Sequence, residues 1–282
     1  MNKNYTLRQE YLPKDKDIRG SNDKLLQDTV ETIKRWTTVR PRLRLVEAIP
    51  FKTPFANLLL ANQSENTLAR LMPHLERVTL ASDEYIYQPE NKIDFIYFPE
   101  TAVISEFQIL EDGRTVEIAM IGREGLAGHS AVFCSQPSMN WTQVSVAGSA
   151  LKINSQVLRE EFNRGGALQA ALFDYVNHYI GHISQRVICN SYHTAEKRLC
   201  SWLLMLHDRN KDSNLRMTQE QLARFLGVHR PSITQIAQTL RRKKIIGYIR
   251  GSISIINRPE LEKSACECYR IVHRNSLDSY LF

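Results

Sequence analysis

Cysteine is scarce in this 282-residue chain: there are five, and none precedes Cys134. So few in a chain of this length exclude a small disulfide-stapled fold. No stretch approaches the roughly 18 uninterrupted apolar residues of a membrane span, so no membrane-spanning segment is expected. The opening MNKNYTLRQEYLPKDKD has no apolar core behind its charges. It does not read as a secretory leader, and a reducing cytoplasm is the expected location. Also missing are a nucleophile-base-orienter set, a metal triad and a phosphate-binding loop, so the chain does not read as an enzyme. Gly122, Gly125 and Gly128 are three apart, but no βαβ unit surrounds them. Glu160-Glu161 reads as a charged helix start. His178 and His182 share a helix face but lack a third ligand, Cys134, Cys189 and Cys200 stand alone, and Cys266 and Cys268 with nearby His273 form an incomplete set. Hence no metal and no cofactor are expected, and the last pair reads as part of an inert tail.

What the chain does have is a core and an uneven charge. Hydrophobic residues make up 43% of it, enough to bury an interior. The net charge of +7 is concentrated: residues 213–258 carry nine basic groups and one acidic group, whereas residues 45–212 are net −5. A solvated face mixes signs, so the basic segment points to a polyanionic partner. Charge alone leaves DNA, RNA and an anionic membrane surface open.

Residues 1–49 are polar, with helical spacing only around Lys24–Trp36, and read as a loosely attached basic extension. Ser64 then looks like a helix cap. From about Leu75 to Asn154, short runs rich in Val, Ile, Tyr and Phe alternate with turn residues: Arg77–Leu80, Tyr85–Tyr87, Phe95–Phe98, Val103–Leu110, Thr115–Ile121 and Gln143–Ile153. Such spacing predicts an antiparallel barrel or sandwich. Beyond Gly165-Gly166, Leu168, Leu172, Tyr175, Tyr179, Ile183, Arg186 and Asn190 recur at helical steps. That stripe fits a dimer seam or a helix packed on its own barrel. Another amphipathic helix covers residues 194–208, and Asp208–Asn214 reads as a loop.

Residues 218–258 carry the strongest signal. Thr218 and Gln221 form a capping-box pattern, Gln221–Leu226 is a short helix, and Gly227 permits a left-handed stop. A second helix starts near His229, with Pro231 tolerated in its first turn. Ile233, Ile236, Ala237 and Leu240 are its inward stripe. Arg230, Ser232, Thr234, Gln235 and Gln238 are left outward or flanking. Two helices joined by a glycine turn can place the second in the major groove. There Arg reads guanine, Gln reads adenine and Ser or Thr reaches a base or phosphate. Arg241 to Lys244 can reach phosphates. Ile245–Tyr248 and Ser252–Ile256 then predict a hairpin wing around Arg250-Gly251.

The runs DFIYFPETAVIS, EDGRTVEIAMIGREGLAG and TQEQLARFLGVHRPSIT resemble the cyclic AMP receptor protein and fumarate-nitrate regulator (Crp-Fnr) superfamily, from about Phe51 to Asn257. The resemblance implies an α+β chain: an antiparallel β jelly-roll or barrel of cyclic-nucleotide-binding type (50–165), a long dimerisation helix (166–192) and a C-terminal winged helix-turn-helix (193–282). It implies a homodimer on a double-stranded DNA operator, with RNA polymerase a further partner, and turns Leu168, Leu172, Tyr175, Tyr179, Ile183 and Arg186 into a dimer seam. Arg230, Ser232 and Gln235 become base readers, and Thr218, His229, Thr234, Arg241 and Arg250 backbone contacts. Pro231 and Gln235 replace an acid and an arginine of the best-known members, so the operator should differ from theirs. Cyclic-nucleotide binders present a glycine-glutamate pair and a phosphate-binding arginine. Here Arg123 intrudes between Gly122 and Glu124, and the arginine position falls near Asn140. A buried phosphate without a cation is costly, so cyclic AMP is not expected. Arg123 and Glu124 remain a weak effector site. A cysteine-free first 133 residues also lacks the N-terminal cluster of iron-sulfur members. The resulting expectation is a sequence-specific transcription regulator; the alternative is a weakly specific architectural or RNA-binding protein.

Overall fold

The computed structural model describes residues 55–134, 136–210, 214–249 and 251–278, with only the backbone of Asn214 and of 274–278. The N-terminal extension, its expected helix around Lys24–Trp36, and Arg250 lie outside the described residues.

Short helices α1 (Leu58–Ala61) and α2 (Glu65–Leu71) lead into the sheets. Ser64 caps α2 by accepting from the Thr67 amide, as its position predicts. Seven strands follow: β1 (Glu76–Leu80), β2 (Tyr85–Tyr87), β3 (Phe95–Pro99), β4 (Val103–Ile109), β5 (Thr115–Ile121), β6 (Trp141–Val146) and β7 (Gly148–Asn154). They form two antiparallel sheets, ordered β1-β7-β3 and β2-β6-β4-β5. The run read as one strand from Gln143 to Ile153 is two, because the chain changes sheets at Ala147. Gly148 makes that crossing possible: a Cβ there would lie 2.4 Å from the Ala102 amide nitrogen. Alternating residues such as Ile96, Phe98, Ile104, Ile121, Val144 and Ile153 point between the sheets and are essentially inaccessible to solvent. Helix α3 (His129–Phe133) interrupts the strands, and α4 (Ser155–Asn163) leaves them.

The long helix α5 (Ala167–Tyr192) spans 26 residues, about 39 Å at 1.5 Å per residue. Its Leu168, Leu172, Tyr175, Tyr179 and Arg186 are buried, and Ile183 packs against the same core. This corrects the seam inferred from sequence. Those six residues face the chain's own barrel, where Tyr175 Oη donates to the Leu126 carbonyl at 2.8 Å. A Cβ on Gly125 would sit 2.5 Å from the Tyr175 ring, which shows how closely the helix approaches the barrel.

The C-terminal part comprises α6 (Ala195–Arg209), β8 (Asn214–Arg216), α7 (Gln219–Leu226), α8 (Arg230–Arg242), β9 (Ile246–Ile249), β10 (Ser252–Ile255), α9 (Arg258–Ser264) and α10 (Glu267–Asp278). Strands β8-β10-β9 form one small sheet. A second hydrophobic core, with Trp202, Phe225, Ile233, Leu240 and Ile253, holds these elements. The tail beyond the wing is two helices, and α10 packs against α5 and α6.

Candidate nucleic-acid interface

The two helices α7 and α8 are set by local chemistry. Thr218 Oγ1 accepts from the Gln221 amide at 3.2 Å, and Gln221 Oε1 accepts from the Thr218 amide at 2.7 Å. This reciprocal capping box satisfies donors the helix would otherwise leave open. Gly227 ends α7 at φ +61°, ψ +41°, a left-handed stop. Leu222, Phe225 and Leu226 of α7 and Ile233, Ala237 and Leu240 of α8 turn inward. The opposite face of α8 is thereby forced outward.

Arg230, Gln235, Gln238, Arg241 and Arg242 are exposed on α8, Lys243 and Lys244 are exposed just past its end, and Ser232 is half-buried. Arg230 stands at the first turn, its Nε 4.0 Å from a Glu220 carboxylate that is equally open to water. So loose a pair costs little to break and leaves the guanidinium available. His229 is the N-cap residue by backbone but makes no side-chain capping bond. Its ring is exposed at the end of α8 where helix amides favour anions. Thr234 is half-buried, flanking the outward face. Its hydroxyl is 2.7 Å from Gln219 Oε1 and 3.2 Å from the Arg230 carbonyl, so it braces α8 on α7 rather than facing outward. Sequence reasoning missed Gln219 because the contact depends on the angle between the helices.

The reading domain rests on the barrel through polar contacts that sequence separation hid. Gln221 Nε2 donates to both Asp83 carboxylate oxygens at 2.8 and 2.9 Å, and Arg224 donates to Gln143 Oε1 at 2.9 Å. Most buried is Glu117 of β5. It accepts from Ser105 Oγ at 2.5 Å, from Trp202 Nε1 of α6 at 2.6 Å and from Arg186 of α5 at 3.2 Å. Burial pushes its carboxyl above the usual range, opposed by Arg186 and by the Ser105 and Trp202 donors. One carboxylate thus joins barrel, long helix and reading domain.

Of the weak effector pair Arg123 and Glu124, Glu124 is engaged within the chain. Glu124 is paired with Arg209 of α6 at 2.6 Å, and Glu124 also accepts from the Gly122 amide. Neither residue lines the barrel cavity that holds Glu106 and Tyr179. That cavity, of about 300 Å³, lies beside α5 and is lined by Glu106, His129, Asn140 and Tyr179 among others. Asn140, standing where the phosphate-binding arginine was sought, donates to Glu106 Oε2 at 3.1 Å. Tyr179 Oη donates to the same oxygen. Burial pushes the His129 imidazole down, towards its neutral form, and its Nδ1 has no partner. A wall with a carboxylate and no guanidinium repels a phosphate. Of the helical pair, His178 Nδ1 lies 2.6 Å from the Asp174 carbonyl. Burial, with Arg209 and Arg186, pushes His182 down to about 3, and among the described residues no third His, Cys, Asp or Glu joins the pair.

Residues 197–264 match the family model of the Crp-like helix-turn-helix domain. The "Anaerobic regulatory protein" of Bacillus subtilis is 21% identical over 192 residues, 65% of this chain and 81% of that protein. FixK2 from Bradyrhizobium japonicum has a similar structure, with a TM-score of 0.59 at 16% identity over 68% of this chain and 98% of that one. A Crp/Fnr-family transcriptional regulator from Thermus thermophilus gives 0.56 at 18% identity, over 67% and 98%. The mixed α+β fold is that of Crp/Fnr-type proteins, with a helix-turn-helix at its C-terminal end. Among the described residues no helix is long and apolar enough to cross a membrane.

Proposed function

We infer that this Crp/Fnr-type transcription regulator, with its helix-turn-helix DNA-binding domain, reads a palindromic operator as a homodimer through the first turns of α8. The observation that carries the reading is the exposure of Arg230 and Gln235 on a helix whose other face is locked into a core. Arg230, Ser232 and Gln235 meet base edges in the major groove. Thr218, His229 and Arg241 meet phosphates, and Arg250 is assigned there from its position in the sequence between β9 and β10. Thr234 drops out of that set, since its hydroxyl already serves Gln219.

Pairing uses the outer face of α5. Phe173, Ile180 and Val187 are each more than half exposed and recur every seven residues. Asn177, Ser184 and Ser191 are exposed and interleave at the alternate three- and four-residue steps of a coiled-coil seam. Apolar side chains left in water at that period are what a partner helix covers. The division into barrel (50–165), pairing helix (166–192) and reading domain (193–282) belongs to the same proposal.

Glu117 supports a route for a signal. A change in the barrel that moves β5 acts on α5 through Arg186 and on α6 through Trp202. Coupling requires the signal to favour one arrangement of these elements. The cavity favours a neutral or cationic small molecule over a cyclic nucleotide, since Glu106 is its charged wall. Glu106, Asn140 and Tyr179 of its wall pair with one another, and the reading is of a regulator and not a catalyst. A cytoplasmic site of action, with RNA polymerase as a further partner, follows from that role.

Arg230→Ala tests the base-reading assignment. On its operator the variant should lose roughly 1–3 kcal/mol of discrimination at one base pair per half-site. Unchanged discrimination in quantitative binding assays would remove Arg230 from the reading set.

A further inference from the structure

Three cysteines and a histidine from distant parts of the chain converge where α5 ends and α10 begins. Cys189 is in the last turn of α5, and His193 is the residue that caps that helix. Cys266 and Cys268 flank Glu267, the first residue of α10. One ligand atom from each of the four residues lies within 4.8 Å of all the others. Cys189 Sγ is 3.6 Å from Cys266 Sγ, and Cys268 Sγ is 3.4 Å from His193 Nδ1. Zinc bound tetrahedrally, with sulfur at about 2.3 Å and nitrogen at about 2.0–2.1 Å, separates two sulfurs by about 3.8 Å and sulfur from nitrogen by about 3.5 Å. The spacings match a tetrahedral ligand set and are far from the roughly 2.05 Å of a disulfide.

We propose that Cys189, His193, Cys266 and Cys268 bind one zinc ion as a closed Cys3His site that ties the end of the pairing helix to the C-terminal helix of the reading domain. Its surroundings suit that role. The three cysteines form a cluster of their own, apart from both large hydrophobic cores, whereas Cys200 lies inside one of those cores as an ordinary buried thiol. His193 Nε2 is 3.3 Å from the Glu267 carboxylate. A proton held on Nε2 leaves the Nδ1 lone pair facing the sulfurs, the orientation that carboxylates impose on metal-binding histidines. Ser201 accepts from the Cys266 amide, so its hydroxyl proton is free to point at Cys266 Sγ, 3.0 Å away. Gln185 Nε2 donates to Cys268 Sγ at 3.1 Å. Donors aimed at sulfur favour the thiolates a metal needs. His273, the histidine nearest Cys268 in sequence, is elsewhere: it lies 3.3 Å from Asp208 and stacks on Tyr269.

Thr194, next to His193, caps α6, so the site sits at the junction that aims the reading domain. A cation there fixes the angle between α5 and α6. Four protein ligands and no open position make it structural rather than catalytic.

The test is elemental analysis of the full-length chain, purified without chelators, with cobalt(II) replacing the bound metal. About one zinc per chain is expected, falling at least tenfold in Cys266→Ser and in Cys268→Ser and unchanged in Cys134→Ser and Cys200→Ser. Cobalt should give sulfur-to-metal charge-transfer absorption and the intense visible bands of a tetrahedral site. Because the cysteine variants can misfold, stripped wild-type protein is also titrated with cobalt and then zinc, and its melting temperature read at each step. Zinc should raise it. Less than about a tenth of an equivalent of metal with no cobalt-thiolate band would overturn the proposal. So would iron bound in its place, a Cys189–Cys266 disulfide in non-reducing peptide maps, or zinc retained fully in both cysteine variants.

Discussion

Replacing Ile180 and Val187 with Glu should convert a dimer into monomers while leaving the barrel intact. In the single chain these side chains are 57% and 61% exposed, so pairing buries what remains. Full burial of an Ile or Val is worth about 1.5–3 kcal/mol, and half of that is about 1 kcal/mol per side chain. Two residues on two protomers give about 4 kcal/mol. Four carboxylates brought into one seam add repulsion and desolvation to the loss. A weakening of more than 4 kcal/mol is roughly a thousandfold or more in the dimer dissociation constant, at 1.4 kcal/mol per decade. Sedimentation velocity from nanomolar to micromolar concentration reads this directly, with melting temperature as the control for folding. Tyr179→Glu and Ile183→Glu supply the contrast: they strike the barrel-facing stripe and should lower the melting temperature first. If Ile180→Glu/Val187→Glu stays dimeric at micromolar concentration with an unchanged sedimentation coefficient, the outer face of α5 is not the seam.

Two further predictions concern the elements behind the interface. Glu117→Leu leaves Arg186 a buried cation without its carboxylate and Trp202 without its acceptor, and should cost roughly 3–5 kcal/mol in denaturant unfolding. Adding Arg186→Met should recover most of that, and a single-variant cost below about 1 kcal/mol would show that the network contributes little. His182 gives a pH signature. Above about 6.5, the ordinary histidine value, it is neutral folded and unfolded. Below that pH the unfolded chain takes up a proton that the folded chain, with a value of about 3, refuses. Stability should therefore fall with acidification between pH 6.5 and 3, by about 1–2 kcal/mol from pH 7 to 5 for this half-buried ring. His182→Gln should flatten the slope in urea titrations at pH 7, 6 and 5, and an equal slope in both proteins would refute the assignment.

The strands and the helix-turn-helix were legible because their determinants are local. Short runs rich in Val, Ile, Tyr and Phe between turn residues mark the strands, and the Thr218–Gln221 box with Gly227 marks α7 and its turn. What stayed hidden depends on residues far apart in the chain. Helix α5 has apolar residues on two faces, and both repeat at helical steps. Only the position of the barrel shows that Leu172 and Tyr175 are spent on the chain's own core while Phe173 and Ile180 are left over. Glu124 was assigned from the family's glycine-glutamate pair, and its partner, Arg209, is 85 residues away, beyond what local spacing reveals. Cys189 looked solitary for the same reason, since Cys266 is 77 residues on. Helical phase left Thr234 outward or flanking, and the packing of α7 on α8 engages its hydroxyl with Gln219.

The measurement that bears most directly on the central claim is selection of bound duplexes from a random DNA pool by the full-length chain, read at two salt concentrations. Aimed by the Gly227 turn, the paired α8 helices should enrich a palindrome whose half-sites lie about one helical turn apart, roughly 10 bp centre to centre. That enrichment should persist as overall affinity falls with salt. A pool that stays random at both concentrations, with binding set by salt alone, would contradict it.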